Sequence, residues 1–280
     1  MRIALHQARS GIDPAANADA LAAAVKEAAT GGAAILFTPE MSGMLDRERG
    51  RALVKAREEA GDPVLERVRA AAAAHGIWVQ LGSLALKGGD GELMANRALL
   101  IDDEGAIRAR YDKIHLFDVD LESGESWRES KAFAPGSRAV VADSPLGTLG
   151  LSVCYDLRFP ALYQALAAAG AVALAVPSAF TVPTGRAHWH VLLRARAIEN
   201  AAFVIAAAQH GRHEDGRETF GHSLVVGPWG DVLLDMGEGT GVGFAELDLG
   251  KVDAVRERLP VLAHRRPVPV PGIDAASASP

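Results

Sequence analysis

Two things are scarce in this sequence of 280 residues: cysteine and long apolar stretches. Cys154 is the single cysteine, so an internal disulfide framework is excluded, and a lone thiol is typical of a reducing compartment. The longest alanine-rich runs are broken by glycine, proline or charge before they reach a membrane-spanning length. Residues 1–7 become polar too early for a signal peptide. We therefore expect a cytoplasmic protein without a membrane partner.

An excess of basic residues is also missing. The chain carries 29 Lys and Arg against 35 Asp and Glu, which gives a formal net charge of -6. Nucleic acids and anionic membranes are bound through basic surfaces. Neither is therefore an expected partner.

The sequence does have ample apolar material, because 49% of its residues are hydrophobic. That suffices for the core of one large α/β domain or two small ones. No internal repeat and no linker composition precede the proline-rich end of the chain. We therefore expect one domain over residues 1–268 and an extended tail over residues 269–280.

Apolar runs and helical patterns share the chain. Residues 33–37 form a run without polar interruption, typical of a strand covered on both faces, and residues 96–101 and 106–111 predict an antiparallel hairpin. A first helix is predicted to open at Asp13-Pro14 and to stop at Gly31-Gly32, and further helices are predicted over residues 47–60, 63–75, 161–169, 188–200 and 250–258. Residues 112–135 lack a clear period but contain aromatics, which favours a functional loop over disorder. This mixture predicts a layered α/β body without fixing the layer order.

Cys154 stands where a predicted strand, residues 149–153, turns toward a predicted helix, residues 161–169. Ligands bind at the carboxyl ends of strands in α/β sheets. A lone thiol at such a turn is a candidate nucleophile. The alternative is an inert core residue, because free cysteine is among the most buried residue types.

Other polar residues stand beside apolar strands. Glu40 and Lys113 each follow a predicted strand, and Glu129 lies in the long loop. A reactive thiol needs a base or a positive field. No local motif places histidine and asparagine or aspartate beside the cysteine, but a carboxylate base with an ammonium neighbour would serve the same purpose.

Three segments resemble the signature blocks of the nitrilase superfamily of carbon–nitrogen hydrolases: Phe-Thr-Pro-Glu40, Tyr-Asp-Lys113-Ile-His-Leu-Phe and Ser-Val-Cys154-Tyr-Asp-Leu-Arg-Phe-Pro. Supporting blocks include Pro-Ser-Ala-Phe180, Ala-His-Trp189, Pro-Trp-Gly230 and His-Arg-Arg266. Each block is weak alone, but their order along residues 1–268 is specific. The chain is most similar to the Nit-type amidase branch, which includes deaminated-glutathione amidases and omega-amidases.

The resemblance implies a four-layer α-β-β-α sandwich that forms homodimers or larger homo-oligomers. It also implies a Cys-Glu-Lys mechanism without a metal or other cofactor. Cys154 would attack the amide carbon, with Glu40 as the base that later protonates the departing ammonia. Lys113 and the backbone N–H of Tyr155 would hold the oxyanion, and Glu129 would orient Lys113. The implied substrate is a small carboxylated amide, such as deaminated glutathione or the monoamide of an α-keto diacid.

Several points remain open in the sequence. Arg158 either binds a substrate carboxylate or pairs with an acid such as Asp156, and Phe180 either lines the pocket or belongs to the core. The same machinery would serve an N-carbamoyl hydrolase or a nitrilase, and a catalytically silent interaction scaffold is a further alternative. His190 stands where Nit-type amidases usually carry Glu, which affects the expected specificity.

A zinc site is a further alternative, because two short stretches contain four histidines: His188, His190, His210 and His213. Their spacing matches no strong zinc motif and no cysteine lies nearby in sequence, so we expect no metal site.

Overall fold

The structure is a computed structural model that describes residues 1–88, 93–120, 124 and 126–268. The helices in this part of the chain are α1 (Pro14–Thr30), α2 (Arg49–Lys55), α3 (Pro63–His75), α4 (Pro160–Ala168), α5 (Val182–Asn200) and α6 (Gly250–Arg258). The strands there are β1 (Arg2–Gln7), β2 (Ile35–Phe37), β3 (Trp78–Lys87), β4 (Met94–Ile101), β5 (Ile107–Asp112), β6 (Asp118–Asp120), β7 (Ser126–Arg128), β8 (Phe133–Ala134), β9 (Val140–Ser144), β10 (Gly147–Leu151), β11 (Ala173–Ala175), β12 (Phe203–Ala206), β13 (His210–Arg212), β14 (Glu218–Phe220), β15 (Leu224–Val226), β16 (Val232–Asp235) and β17 (Gly241–Glu246). The predicted tail, residues 269–280, lies outside the described residues.

Two mixed sheets organise the fold. The first has the strand order β17-β1-β2-β3-β4-β5, with β8 paired to β4, and the second has the order β16-β15-β12-β11-β10-β9. Neighbours β1, β2 and β3 run parallel, as do β10, β11 and β12. The predicted hairpin is confirmed as β4 and β5, which pair antiparallel. The parallel strands send their carboxyl ends toward one edge of each sheet.

Side-chain alternation along the strands builds the layers. Ile3 and Leu5 of β1 point into the core shared with the second sheet, whereas Ala4 between them packs on the opposite face. That opposite face is covered by α1 and α3, through residues such as Leu21 and Leu65. Helices α4 and α5 cover the second sheet in the same way. The expected four-layer α-β-β-α order is therefore confirmed.

Local signals set the ends of the covering helices. Asp13 and Asp62 cap α1 and α3 by accepting hydrogen bonds from first-turn backbone N–H groups, and a proline follows each cap. Gly76 ends α3 in the left-handed region with φ 60°. Both helix starts match the sequence prediction because capping and proline signals are local.

Three segments differ from the prediction. Helix α5 begins at Val182 rather than at residue 188, because Pro183 occupies its first turn, where a missing N–H costs nothing. The helix predicted over residues 47–60 is shorter, since α2 ends at Lys55. The predicted loop over residues 112–135 contains the short strands β6, β7 and β8 in its described part. No helix in the described ranges is long and apolar enough to cross a lipid bilayer.

Candidate active site

Polar side chains converge where strands of the two sheets end. Glu40 follows β2, Lys113 directly follows β5, and Cys154 follows β10. Glu129 reaches them from the residue after β7. We call Glu40, Lys113, Glu129 and Cys154 the buried cluster. All four predicted catalytic residues therefore meet in one place, although they are far apart in sequence.

Lys113 lies between two carboxylates. Its Nζ donates hydrogen bonds to Glu40 Oε1 at 2.9 Å and to Glu129 Oε1 and Oε2 at 3.0 and 2.8 Å. The lysine is 2% exposed. Burial alone would lower the pKa of Lys113, but the negative charges of Glu129 and Glu40 outweigh it and raise that pKa well above its ordinary value. The ammonium therefore stays charged.

Glu40 is held as an anion. Burial alone would raise the pKa of Glu40, but the charge of Lys113 and hydrogen bonds from Cys154, Lys113 and Asn96 lower it below the ordinary value of 4.5. The backbone N–H of Ala179 donates to Glu40 Oε2 at 3.0 Å. An ionised carboxylate hydrogen-bonded to the thiol is placed to accept its proton.

Asn96 connects the two acids and was missed in the sequence analysis. Its Nδ2 donates to Glu40 Oε1 at 3.0 Å and to Glu129 Oε1 at 3.1 Å. The residue lies in β4 and is 1% exposed. An amide on a strand face whose neighbouring positions, Met94 and Ala98, are apolar was the available signal, because a buried amide requires polar partners.

Cys154 occupies a left-handed backbone conformation with φ 50°, which is uncommon for a residue with a side chain. Its backbone N–H donates to the Pro177 carbonyl at 2.9 Å and anchors the turn. Burial first, and then the charge of Glu40, raise the pKa of the Cys154 thiol well above 9.0, while Lys113 opposes the shift. The resting group is therefore a neutral thiol that needs a base.

Asp156 connects the turn at Cys154 to the segment that carries Lys113. Its fully buried carboxylate accepts hydrogen bonds from the Val153 backbone N–H at 2.9 Å and from the Tyr111 hydroxyl at 2.6 Å. It also accepts one from the His115 backbone N–H at 3.0 Å, and His115 Nδ1 lies 2.7 Å away. Because Tyr111 and His115 flank Lys113, these bonds fix the lysine relative to Cys154.

The turn that carries Glu40 rests on an irregularity in β3. The pairing of β3 with β4 shifts register between Leu81 and Leu84. Gly82 within this shift donates its N–H to Thr38 Oγ1 at 2.9 Å. A Cβ on Gly82 would lie 2.1 Å from the Thr38 carbonyl oxygen, so only glycine permits this approach.

The predicted binding residues border a cavity of about 250 Å³, in which Cys154 also lies. Arg158 does not pair with Asp156; its Nη1 lies 3.3 Å from His188 Nδ1, and its guanidinium lies over the rings of Tyr155 and Phe180. Across the described ranges, Arg158 has no carboxylate partner, which leaves a substrate carboxylate as a possible one. Phe180 both lines the cavity and packs on Trp189.

The structure does bring histidines together, but not the four that the sequence suggested as a zinc site. His190 Nε2 and His222 Nδ1 each lie 2.9 Å from a carboxylate oxygen of Asp235, and we call these three residues the surface cluster. Their ligand-type atoms lie within 4.8 Å of one another. The hydrogen bonds to Asp235 account for this arrangement without an ion.

Comparison with known proteins shows which family the chain belongs to. The carbon–nitrogen hydrolase family profile matches residues 2–257. The chain is 42% identical over 269 residues to a human deaminated glutathione amidase, covering 95% of this chain and 82% of that protein.

Solved structures agree with that placement. The NitFhit protein of Caenorhabditis elegans superposes with a TM-score of 0.89 at 41% identity, over 95% of this chain and 65% of the NitFhit chain. A mutant amidase of Nesterenkonia sp. AN1, modified by acrylamide at its active-site cysteine, has a TM-score of 0.77 at 32% identity, over 93% of this chain and 98% of that one. The chain thus spans about two thirds of NitFhit's length. It belongs to the carbon–nitrogen hydrolase family, in the Nit branch of the nitrilase superfamily, and is an amidase.

Proposed function

We propose that this amidase cleaves a small carboxylated amide of the deaminated-glutathione type through a thioester on Cys154. One observation carries the proposal: the buried ammonium of Lys113 is held by two carboxylates beside a neutral thiol. This arrangement combines a base, a nucleophile and a fixed positive charge. The name of the human relative supports the substrate class.

In the first half of the reaction, Glu40 takes the thiol proton as the sulfur attacks the amide carbon. The carbonyl oxygen becomes negative, and Lys113 Nζ and the backbone N–H of Tyr155 stabilise it. Glu40 then gives the proton to the amide nitrogen. The C–N bond breaks, the amine leaves and the acyl group remains on the sulfur of Cys154.

In the second half, Glu40 takes a proton from a water molecule that attacks the thioester carbon. The same donors stabilise the second oxyanion, the C–S bond breaks, and the proton returns to the thiolate. Glu129 holds the oxyanion site together, because its carboxylate accepts from Lys113 Nζ and from the Phe117 backbone N–H at 2.7 Å. Lys113 is thereby oriented before the substrate arrives.

Arg158 is the proposed partner of a carboxylate on the acyl half of the substrate. It borders the cavity next to Tyr155, the residue after the nucleophile. Arginine binds carboxylates through two parallel hydrogen bonds, which fixes orientation as well as position. Phe180 supplies an apolar wall on the same side.

The test compares the wild type with Cys154→Ala on a panel of amides, N-carbamoyl compounds and nitriles. The monoamide of α-ketoglutarate is followed by ammonia release, and deaminated glutathione by release of cysteinylglycine, since its scissile nitrogen belongs to cysteine. We expect turnover of the carboxylated amides by the wild type only. Equal activity in both proteins, or turnover restricted to carbamoyl compounds or nitriles, contradicts the proposal. A wild type inactive on the whole panel supports the scaffold alternative.

We also propose that the protein is a homodimer or larger homo-oligomer. Trp229 is 62% exposed, and it lines a shallow cleft with Ile198 and Leu259. Val191, two helical turns from Ile198 on α5, is 69% exposed. Light scattering after size exclusion tests this, and a monomer at assay concentration contradicts it.

A cytoplasmic location, supported by the lone cysteine, is tested by cell fractionation.

A further inference from the structure

The active-site cavity has a second end, marked by Trp127. The Phe117 ring contacts the Tyr155 ring edge-to-face, with 5.1 Å between their centroids. The Trp127 ring comes next, with its centroid 6.4 Å from that of Phe117. Tyr155 adjoins the nucleophile, and Trp127 lines the same cavity two rings further along this row.

Two guanidinium groups lie over the Trp127 ring, that of Arg217 at 4.9 Å and that of Arg47 at 5.6 Å from the centroid. Asp215 Oδ2 accepts from Arg217 Nε at 2.9 Å, but it meets Arg47 only at the backbone N–H, at 2.8 Å. The Arg47 guanidinium thus has no carboxylate partner within the described residues. The exposed Glu218 lines the same cavity and offsets part of this positive charge.

The indole of Trp127 also has an unmet hydrogen bond. Its Nε1–H is buried and has no acceptor among the described residues. A buried donor without an acceptor destabilises the protein, and a bound substrate that supplies an acceptor would relieve that cost.

The wall between the two ends shows which half of the substrate lies there. This wall is formed by residues that lie between Glu40 and Arg47 in the chain: Met41, Met44 and Leu45. Glu40 is the group that protonates the departing nitrogen. An amine half that is protonated by Glu40 would extend along this wall toward Arg47.

We infer that Arg47, Trp127 and Arg217 form a subsite for a carboxylate on the amine half of the substrate. The substrate class is an amide whose leaving amine is an amino acid or short peptide with a free carboxylate, while Arg158 takes the acyl-side carboxylate. This inference rests on the proposed function and narrows it. The cavity then has one cationic end for each half of a dicarboxylic amide.

The test uses three substrates that share one acyl group: deaminated glutathione, the same compound with its glycine carboxylate converted to a carboxamide, and the primary amide α-ketoglutaramate. The variants are Arg47→Gln and Trp127→Phe. Arg67→Gln is the matched control, since it removes one exposed arginine charge from α3, where Arg67 pairs with Asp19. KM and kcat are measured for every combination.

We expect Arg47→Gln to raise KM for deaminated glutathione roughly 5- to 10-fold, the scale of one charge-assisted hydrogen bond near the surface, with kcat unchanged. Trp127→Phe keeps an aromatic ring but loses the indole N–H, and it should raise that KM about 3-fold. Arg47→Gln should match Arg67→Gln on the carboxamide and on the primary amide. Trp127→Phe should match it on the primary amide, because a carboxamide oxygen can still accept from the indole. Because Arg47 is exposed, its substitution leaves the fold intact and carries the test alone if needed.

The outcomes separate this inference from the proposed function. Arg47→Gln kinetics equal to those of Arg67→Gln on all three substrates overturn the subsite while the amidase proposal stands. An equal rise in KM on all three substrates also overturns it, because the effect would not depend on the distal carboxylate. A wild type that cleaves none of the three contradicts the proposed function itself.

Discussion

The buried cluster and the surface cluster are built from the same kind of contact, yet they differ in what surrounds them. In each, a carboxylate lies within hydrogen-bond distance of nitrogen-bearing side chains. Lys113 and Glu40 have side chains that are 2% and 6% exposed, whereas His190 and Asp235 are 37% and 33% exposed. Water and salt screen the second set of charges but hardly reach the first.

The difference shows in the pKa of each carboxyl. Burial alone would raise the pKa of Asp235, and hydrogen bonds from His190 and His222 lower it. The pKa of Glu40 is also lowered, but against full burial, through the charge of Lys113 first and hydrogen bonds that include those from Cys154 and Asn96. Burial therefore makes each member of the buried cluster depend on the others, while the surface cluster tolerates the loss of one.

The largest effect is expected from Lys113→Met, which keeps the length of the side chain and removes its charge. Loss of the oxyanion donor should lower kcat by on the order of 10²–10³. Glu40 and Glu129 would be left buried without a cation, which should cost about 3–5 kcal/mol of the free energy of unfolding. Urea unfolding and steady-state kinetics measure the two effects. A loss of unfolding free energy within about 0–1 kcal/mol, the range of exposed ion pairs, contradicts the comparison.

Asn96→Leu should have the next largest effect. It removes the amide that donates to both Glu40 and Glu129 and replaces it with an apolar group of similar size. We expect a loss of about 1.5–3 kcal/mol in unfolding free energy, the range for hydrogen bonds to charged groups, and a higher pKa for Glu40. An acid limb of kcat/KM that stays at the wild-type position contradicts this role for Asn96.

The pH dependence of stability gives a smaller test. The folded-state pKa of Glu40 is below 4.5, so its ionised form stabilises the fold above pH 4.5, and this contribution is lost as pH falls through the lower folded value. The stability difference between wild type and Glu40→Gln should narrow over that window. Cys154 has the opposite sign: its raised pKa contributes stability below pH 9.0 that is lost at higher pH. A stability difference between wild type and Glu40→Gln that stays constant as the pH falls contradicts the lowered pKa of Glu40.

Asp235→Asn should have the smallest effect. The exposed hydrogen bonds to His190 and His222 should contribute less than about 1 kcal/mol to unfolding free energy. Activity should stay within about 2-fold of wild type, well under the 1.4 kcal/mol that a tenfold change represents. A loss comparable to that of Lys113→Met would erase the distinction between the two clusters.

The sequence predicted those parts of the fold and site that depend on local signals. Glu40, Lys113 and Cys154 each stand at or just after the end of a strand, which marked them as candidates, but the role of each was implied by the resemblance to the nitrilase signature blocks. Asn96 was missed because its importance arises only when β4 pairs with β3 and β5 and so brings the amide to Glu40 and Glu129. The start of α5 was missed because the prediction began at residue 188, although Pro183 fits the first turn of a helix.

The surface cluster could not be predicted for a related reason. His190, His222 and Asp235 come from α5, the segment before β15, and β16, and only the packing of α5 on the second sheet brings them together. The sequence drew attention instead to histidines that are near one another along the chain. Proximity in sequence was a poor guide to proximity in the fold.

The central claim is that Cys154 carries the acyl group while Glu40 serves as the base. The most direct measurement is peptide mapping by mass spectrometry of Glu40→Gln after reaction with an activated ester of α-ketoglutarate, whose leaving group needs no proton. We predict that the acyl mass accumulates on the peptide containing Cys154: without the charge of Glu40, Lys113 still lowers the pKa of the thiol, whereas attack of water on the thioester lacks its base. An acyl group on any other residue, or release of the acyl group by Glu40→Gln as fast as by the wild type, would contradict the claim.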